Sequence, residues 1–194
     1  MADIIVAGNT SGAITISAPS VAGSGTLTLP TGTDTLVGKA TTDTLTNKTL
    51  GTGTVFPAGA VLQVVQGTFN TSTTTTSTSL VTTGFSVSIT PKFNTSKVLV
   101  QVNGGKTYCP ASSAMGCYMY RNGSTLGASL GFAYETGGTS PVGSPHSFSY
   151  LDSPATTSST TYTPYFKSLT GSTVYFADAP AVYTVTMTLM EIQG

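Results

Sequence analysis

Charge is scarce in this chain. Asp, Glu, Lys and Arg together make up 7% of its 194 residues, and the formal net charge is zero, whereas a typical soluble domain carries roughly 25% charged residues. The basic residues are scattered between Lys39 and Lys167 and form no cluster. This pattern argues against a nucleic-acid-binding surface and against a polybasic segment that binds membranes.

Long hydrophobic segments are also missing. No apolar run approaches the roughly 20 residues of a transmembrane helix. The sequence starts Met1-Ala2-Asp3, without the basic and apolar regions of a signal peptide. We therefore expect synthesis in a cytosol and no membrane insertion.

Residues that usually carry catalytic chemistry are few and dispersed. His146 is the only histidine, no G-x-S-x-G motif occurs, and the seven acidic residues are far apart in sequence. Phosphate-binding, dinucleotide-binding and calcium-binding motifs are absent as well. We predict a protein that is not an enzyme and has no catalytic residues, cofactor or metal. For His146 we favour a surface loop position over a metal site shared between chains.

The cysteines leave two alternatives open. Cys109 and Cys117 are eight residues apart, so a loop disulfide forms if their Cα atoms approach to within about 7 Å. Cytosolic synthesis instead favours free, buried thiols. Because no C-x-x-C motif exists, zinc binding and thioredoxin-type chemistry are disfavoured.

The residues that are abundant favour an all-β protein. Ser and Thr make up nearly a third of the chain, beside 9 Tyr, 8 Phe and many Val and Ile. Thr, Val, Ile, Tyr and Phe are the residue types that fit a pleated, half-buried surface. No stretch shows the 3.6-residue period of an amphipathic helix. The composition therefore predicts strands whose exposed faces carry hydroxyl groups instead of charges.

Residues 1–38 differ from the rest because they contain no Tyr, Phe or Cys. Period-two alternation and glycine-rich turns predict four short strands here, at 3–6, 13–17, 25–29 and 33–37. Such a small meander has too little apolar face to be stable alone in water. We predict that it intertwines with copies of itself or docks on another protein, the alternative being a flexible, low-complexity leader.

Residues 39–59 form a connector, and residues 60–194 alternate in the manner of a β-sandwich. Asn122-Gly123 is a strong hairpin signal inside this second region. About nine strands with frequent turn signals suit a sandwich or jelly roll, and we expect the long last strand to lie centrally in its sheet. The predicted strands are 61–66, 80–90, 98–102, 115–120, 126–134, a segment around 148–150, 162–167, 174–176 and 182–192.

Several segments resemble bacteriophage tail-fibre and related virion fibre proteins. The N-terminal segments at 8–16, 18–19, 25–30 and 34–38 are similar to modules common in those proteins, and Asp43-Thr44-Leu45-Thr46-Asn47-Lys48-Thr49-Leu50 is similar to a junction that often follows them. Segments 61–66, 85–91, 97–100 and 189–192 resemble a fibre head.

The resemblance implies a homotrimer with a jelly-roll-like C-terminal knob, located in the virion. Its partners would be itself, other virion proteins through residues 1–50, and a host surface glycan. A head fibre or capsid decoration protein without receptor binding is the first alternative. A polysaccharide-degrading tailspike is the second, and it is disfavoured because no paired carboxylates are recognisable.

If a receptor site exists, we expect it on the loops 103–116, 121–125 and 135–147, because recognition usually lies on loops held by a rigid scaffold. Tyr rings would stack on glycan rings while polar neighbours supply hydrogen bonds. The alternative, which we favour for most of the tyrosines, is that they fill the sandwich and the subunit interface. The candidate receptor-facing residues are Tyr108, Arg121, Asn122, Tyr134, Glu135 and His146.

Overall fold

Two of the predicted N-terminal strands form in the computed structural model. The structure describes residues 4–7, 11–16, 20–21, 24, 31, 54, 56–126, 133–179 and 182–194, and the chain divides into two compact units, Met1–Gly51 and Thr52–Gly194. In the first unit, β1 (Ile4–Ala7) pairs antiparallel with β2 (Ala13–Ile16). The strands predicted at 25–29 and 33–37 lie outside the described residues.

The described part of the second unit is built from strands, and no helix occurs among the described residues of either unit. The all-β prediction is therefore confirmed. The strands are β3 (Val61–Phe69), β4 (Thr73–Thr75), β5 (Val81–Thr82), β6 (Val87–Ile89), β7 (Lys97–Gly104), β8 (Ser113–Arg121), β9 (Ser124–Thr125), β10 (Ala133–Gly137), β11 (His146–Asp152), β12 (Thr160–Ser168), β13 (Val174–Ala177) and β14 (Val185–Ile192).

One sheet has four antiparallel strands in the order β11-β7-β14-β3. The last strand, β14, pairs along its whole length with β7 on one side and with β3 on the other. The prediction that the last strand lies centrally is confirmed. Its alternation sets the face that meets the core, because Val185, Met187 and Leu189 are fully buried while the threonines between them are only partly covered.

The other large sheet has the order β10-β8-β12-β5, with β6 also on β12 and β9 also on β8. Pro164 lies inside β12, a position that a central strand rarely tolerates because proline has no N–H to donate. Its carbonyl accepts from Thr83, at the interruption between β5 and β6. The ladder is thus already broken on the side where the missing N–H would point.

The two sheets enclose a single hydrophobic core, as expected for a β-sandwich. The four-stranded sheet contributes valines of β7 and the inward residues of β14, while β6, β8 and β12 contribute from the other sheet. The smaller pair β13-β4 closes the core with Val174 and Phe176. The jelly-roll connection, the intertwined N-terminal segment and the trimer stay predictions.

The predicted strand 80–90 is wrong in its continuity but right in its facing. Gly84, at φ 78°, separates β5 from β6 and takes a backbone conformation that other residues rarely adopt. Phe85, Val87 and Ile89 are nevertheless buried, and the serines between them are exposed. The inward or outward direction of each side chain depends on local alternation, so the interruption at Gly84 leaves it unchanged. Strand pairing depends instead on strands that are distant in sequence.

The predicted Asn-Gly hairpin is confirmed. Asn122 and Gly123 both have positive φ, 47° and 81°, and they join β8 to β9, as a type I′ turn requires. The return strand predicted at 126–134 lies largely outside the described residues. Its described end, Ala133, begins β10 opposite Cys117 on the same β8.

The last predicted strand, 182–192, begins later than predicted. The amides of Val182 and Tyr183 both donate to the carbonyl of Ala179. These bonds form a turn instead of a sheet ladder, so β14 starts at Val185 and leaves Tyr183 exposed.

Candidate functional site

A pocket of about 280 Å³ lies between the edges of the two sheets. Strands β8 and β10 form one wall, and the start of β11 with the loop before it forms the other. The lining residues are Thr107, Met115, Cys117, Tyr134, Glu135, Ser144, Pro145 and Ser147. The pocket therefore combines a sulfur-rich apolar floor with hydroxyl groups, one aromatic ring and one carboxylate.

Strand β10 places two adjacent candidate residues on opposite faces. Tyr134 is 70% exposed, whereas Glu135 is only 8% exposed, because successive side chains of a strand alternate. The hydroxyl of Thr107 donates to Glu135 Oε2 at 2.6 Å. Among the residues that the structure describes, no donor reaches the other carboxylate oxygen, Oε1, which is buried.

Thr107 also fixes the loop that precedes β11. Its backbone N–H donates to the carbonyl of Ser144 at 2.8 Å, and the Ser144 N–H donates to the Thr107 hydroxyl oxygen at 3.1 Å. This reciprocal pair attaches the mouth of the pocket to the core of the unit. The polar wall is consequently held in place before any ligand arrives.

His146 is not the surface loop histidine that the sequence predicts. It begins β11, is 3% exposed, and its ring lies 4.4 Å from that of Phe176. Its Nε2–H donates to the Phe176 carbonyl at 2.7 Å. Burial lowers the pKa of His146, against the opposing effects of that hydrogen bond and of Glu135. The prediction failed because pairing of β11 with β7 buries this position.

Both cysteines are free and buried, which agrees with the favoured alternative. The Cys109 Sγ lies 3.2 Å from the Ser113 hydroxyl. Burial raises the pKa of the Cys117 thiol, and the nearby Glu135 raises it further. Because the thiolate is the reactive form, Cys117 contributes to the pocket as a neutral, weakly polar wall.

Arg121 and Asn122 lie away from the pocket, at the hairpin end of β8. Arg121 is four residues beyond Cys117, or about 13 Å along a strand. Its Nη1 donates to both oxygens of Asp152, at 2.8 and 3.0 Å. The Asn122 Oδ1 accepts from the Thr161 N–H at 2.8 Å. Both side chains thus stabilise this end of the sandwich.

The carboxylate of Asp152 connects the two sheets. It lies at the end of β11 and accepts from the hydroxyl of Tyr162 on β12 at 2.7 Å, in addition to Arg121. Burial, and then the bond to Asp152, raise the pKa of Tyr162. We call Asp152, Arg121 and Tyr162 together the Asp152 node.

Tyr108 lies outside both the pocket lining and the Asp152 node. Its ring meets that of Tyr175 edge-on at 5.4 Å, and the Lys106 ammonium lies 5.6 Å from its centre. Lys106 also forms an ion pair with Asp178 at 2.8 Å. Of the six candidate residues, the structure brings Tyr134 and Glu135 into one pocket with His146 buried nearby, and it separates the other three.

Sequence reasoning missed most of the pocket. Thr107 and Ser144 fall inside the predicted loops, but nothing distinguishes them from the many other hydroxyl residues. Met115 and Cys117 are ordinary inward residues of a strand. No group of three or more His, Cys, Asp or Glu side chains within the described ranges is arranged to hold a metal ion.

An apolar row, exposed at its two ends and half-buried between them, crosses the outer face of the four-stranded sheet. The pairing register places Val64, Met190, Leu99 and Leu151 side by side on β3, β14, β7 and β11. Val64 is 57% exposed and Leu151 47%. We call these four residues the sheet-face strip. The next row on the same face is uncharged: Gln66, Thr188, Gln101 and Ser149.

Within the described residues, no helix has the length and apolar character needed to cross a membrane. No protein-family model matches the chain, and no curated protein matches it. Among solved structures, it is similar to a chain in the structure of T=1 particles derived from infectious bursal virus, with 12% sequence identity and a TM-score of 0.39. The similarity covers 77% of this chain and 41% of that chain, and at this TM-score it carries no argument about function.

Proposed function

We propose that the protein is a structural component of a bacteriophage virion: a homotrimeric fibre that attaches through residues 1–50 and presents residues 60–194 as an adhesive knob. The virion role is supported by the sequence resemblance to fibre proteins. The observation that carries the assembly is the sheet-face strip, because exposed contiguous apolar residues usually mark an interaction surface.

The surroundings of the strip favour a second and third copy of the same chain as its partners. Amide and hydroxyl side chains border it on one side, so identical faces can exchange hydrogen bonds there, while Ile192 and the exposed Lys97 form the next row on the other side. The N-terminal unit points the same way, since a hairpin of two four-residue strands is at best marginally stable without further partners.

Light scattering of the purified full-length chain tests the assembly. We expect a mass three times the 19.7 kDa of one chain, and we expect Val64→Glu with Leu151→Glu to dissociate it, because burying unpaired carboxylates in an interface is costly. Thr157→Glu, on an exposed loop, is the matched control and leaves the mass unchanged. A monomeric wild type, or a trimer that tolerates both glutamates, would contradict the proposal.

Adhesion is supported by the exposed ring of Tyr134, whereas the side chains of Arg121 and Asn122 are engaged within the sandwich. Binding of the full-length chain to immobilised bacterial surface polysaccharides measures it directly. Shortening of the polysaccharide during incubation would identify a tailspike instead. Position in a virion reconstruction separates a tail fibre from a head fibre or a capsid decoration protein, and failure to bind any host surface material would favour decoration.

A further inference from the structure

Tyrosines lie on the outer face of the sheet that contains β8 and β12, the face turned away from the core. Tyr118, Tyr120 and Tyr165 alternate with buried residues of the same strands and are themselves half-buried. The rings of Tyr120 and Tyr165 stack at 4.0 Å between centres. Within the described residues, none of the three hydroxyl groups forms a hydrogen bond. These polar tips are therefore available to a ligand.

Gly116 gives this face its relief. It lies between Tyr134 on β10 and Lys167 on β12 in the same row of the sheet. A Cβ at Gly116 would lie 3.2 Å from Tyr118 Cε2 and 3.5 Å from the Tyr118 hydroxyl oxygen, so the far end of that ring lies over the glycine. Tyr134 stands beside it with 70% of its surface exposed. We call the following group the tyrosine face: Tyr118, Tyr120, Tyr134, Tyr165 and Lys167.

Lys167 places one positive charge on the tyrosine face. Its ammonium lies 5.7 Å from the centre of the Tyr118 ring, and none of the described carboxylates forms an ion pair with it. The outward positions of β8, β10 and β12 hold no acidic residue where the structure describes them. A ligand with a negative charge therefore complements this face.

We propose that the tyrosine face binds an acidic polysaccharide, with sugar rings packed on the tyrosines and a carboxylate on Lys167. The proposal rests on the adhesive role proposed above and names its surface and its ligand class. The C–H groups of a sugar ring pack against an aromatic ring, and its hydroxyl groups reach the wet tips of the tyrosines. Thr163, opposite Tyr120 on the same face, adds a further hydroxyl. The ammonium of Lys167 supplies charge-assisted hydrogen bonds to the carboxylate.

A single-stranded nucleic acid would also stack on aromatic rings, but it is less suited to this face. Such strands are held by a positively charged groove that follows the phosphate backbone. The tyrosine face has one lysine, and the whole chain has a net charge of zero. A polysaccharide with one carboxylate in each repeat has the lower charge density that a single lysine matches.

Oligomers of galacturonate and their methyl esters are matched probes, because they share a sugar frame and differ in the charge. Isothermal titration calorimetry on the full-length protein gives their dissociation constants. We expect the acid to bind about fivefold more tightly, the scale of one exposed ion pair, and this preference to shrink as salt is added. Equal binding of acid and ester would overturn the proposal. So would the absence of binding by oligomers of galacturonate, mannuronate and hyaluronate at millimolar concentration, or tighter binding of oligothymidylate.

Two variants, each with a matched control, assign the binding to this face. Lys167→Met keeps the apolar stem and removes the charge, so it should abolish the preference for the acid, whereas Lys92→Met, on an exposed loop, should preserve it. Tyr134→Ala should weaken binding of both probes severalfold, whereas Tyr183→Ala, 45% exposed and outside the face, should not. A thermal melt checks that each variant folds, and the exposure of Tyr134 makes its side chain dispensable for folding.

The same variants separate this proposal from the adhesive role itself. Bacterial surface polysaccharide that binds Lys167→Met and Tyr134→Ala as tightly as the wild type would refute the tyrosine face and leave adhesion standing. A wild-type chain that binds neither bacterial polysaccharide nor the acidic oligomers would refute both.

Discussion

Substitutions in the Asp152 node test how the two sheets are held together. Asp152→Ala removes the acceptor of the Tyr162 hydroxyl, which is fully buried, and of Arg121, whose side chain is 35% exposed. Leaving the hydroxyl unsatisfied costs about 1–3 kcal/mol. Arg121 regains water, so its loss adds less than about 1 kcal/mol. We expect the free energy of unfolding to fall by about 1–4 kcal/mol.

A double-mutant cycle separates the hydroxyl from the other contributions. Tyr162→Phe alone should cost about 1 kcal/mol, since Asp152 keeps Arg121. In the double variant no hydroxyl is stranded, so the combined cost should fall short of the sum by about 1–2 kcal/mol. Urea unfolding followed by circular dichroism, at one protein concentration for all variants, measures this. Additive costs would refute the reasoning, as would an Arg121→Met variant as damaging as Asp152→Ala.

Gly67→Ala should destabilise the protein by about 1–3 kcal/mol in urea unfolding, because its new Cβ would lie 2.5 Å from Val87 Cγ2. The control is Gly138→Ala, which has open space around it. Equal losses of stability in the two variants would contradict this prediction. The lowered pKa of His146 means that the unfolded chain binds a proton first, so stability should decline as the pH falls below about 6.5. His146→Asn should flatten the decline between pH 6.5 and 5.5, and an unchanged slope would count against it. Burial acts to raise the pKa of Glu191, but hydrogen bonds lower it on balance. The stability that Glu191 contributes is therefore complete at neutral pH and is lost as the pH falls below about 4.3. Glu191→Gln should cost more stability at pH 7 than at pH 3, and equal costs at the two pH values would contradict this.

Period-two alternation was sufficient to predict which apolar residues face inward. Val98, Val100 and Val102 are buried as the pattern indicates, because strand facing is a local property. Alternation carried no information about which strands pair. The short β4 and the edge positions of β10 and β11 therefore could not be predicted from it.

The pocket was unpredictable for the same physical reason. Glu135 and His146 are polar residues in segments that read as loops, and their burial results from pairing with β8 and β7, which are distant in sequence. Reading them as exposed followed from the general preference of charged residues for the surface. Only the folded chain shows that the edges of the two sheets enclose them.

Most of the acidic side chains that the structure describes lie inside the fold. Asp152 and Glu191 are buried and satisfied: Asp152 by Arg121 and Tyr162, Glu191 by Gln63 and the Lys92 amide. Because three of the four described acids, Glu135, Asp152 and Glu191, are buried, the described surface carries little negative charge to keep copies apart.

Glu135 is also buried, but one of its two carboxylate oxygens, Oε1, has no hydrogen-bond donor among the described residues. We expect Glu135→Gln to unfold at an equal or higher temperature in a thermal melt, because removing a carboxylate with an unsatisfied buried oxygen relieves a desolvation cost. A lower melting temperature for this variant would contradict that expectation and would make the hydrogen bond from Thr107 to Glu135 a net stabilising interaction.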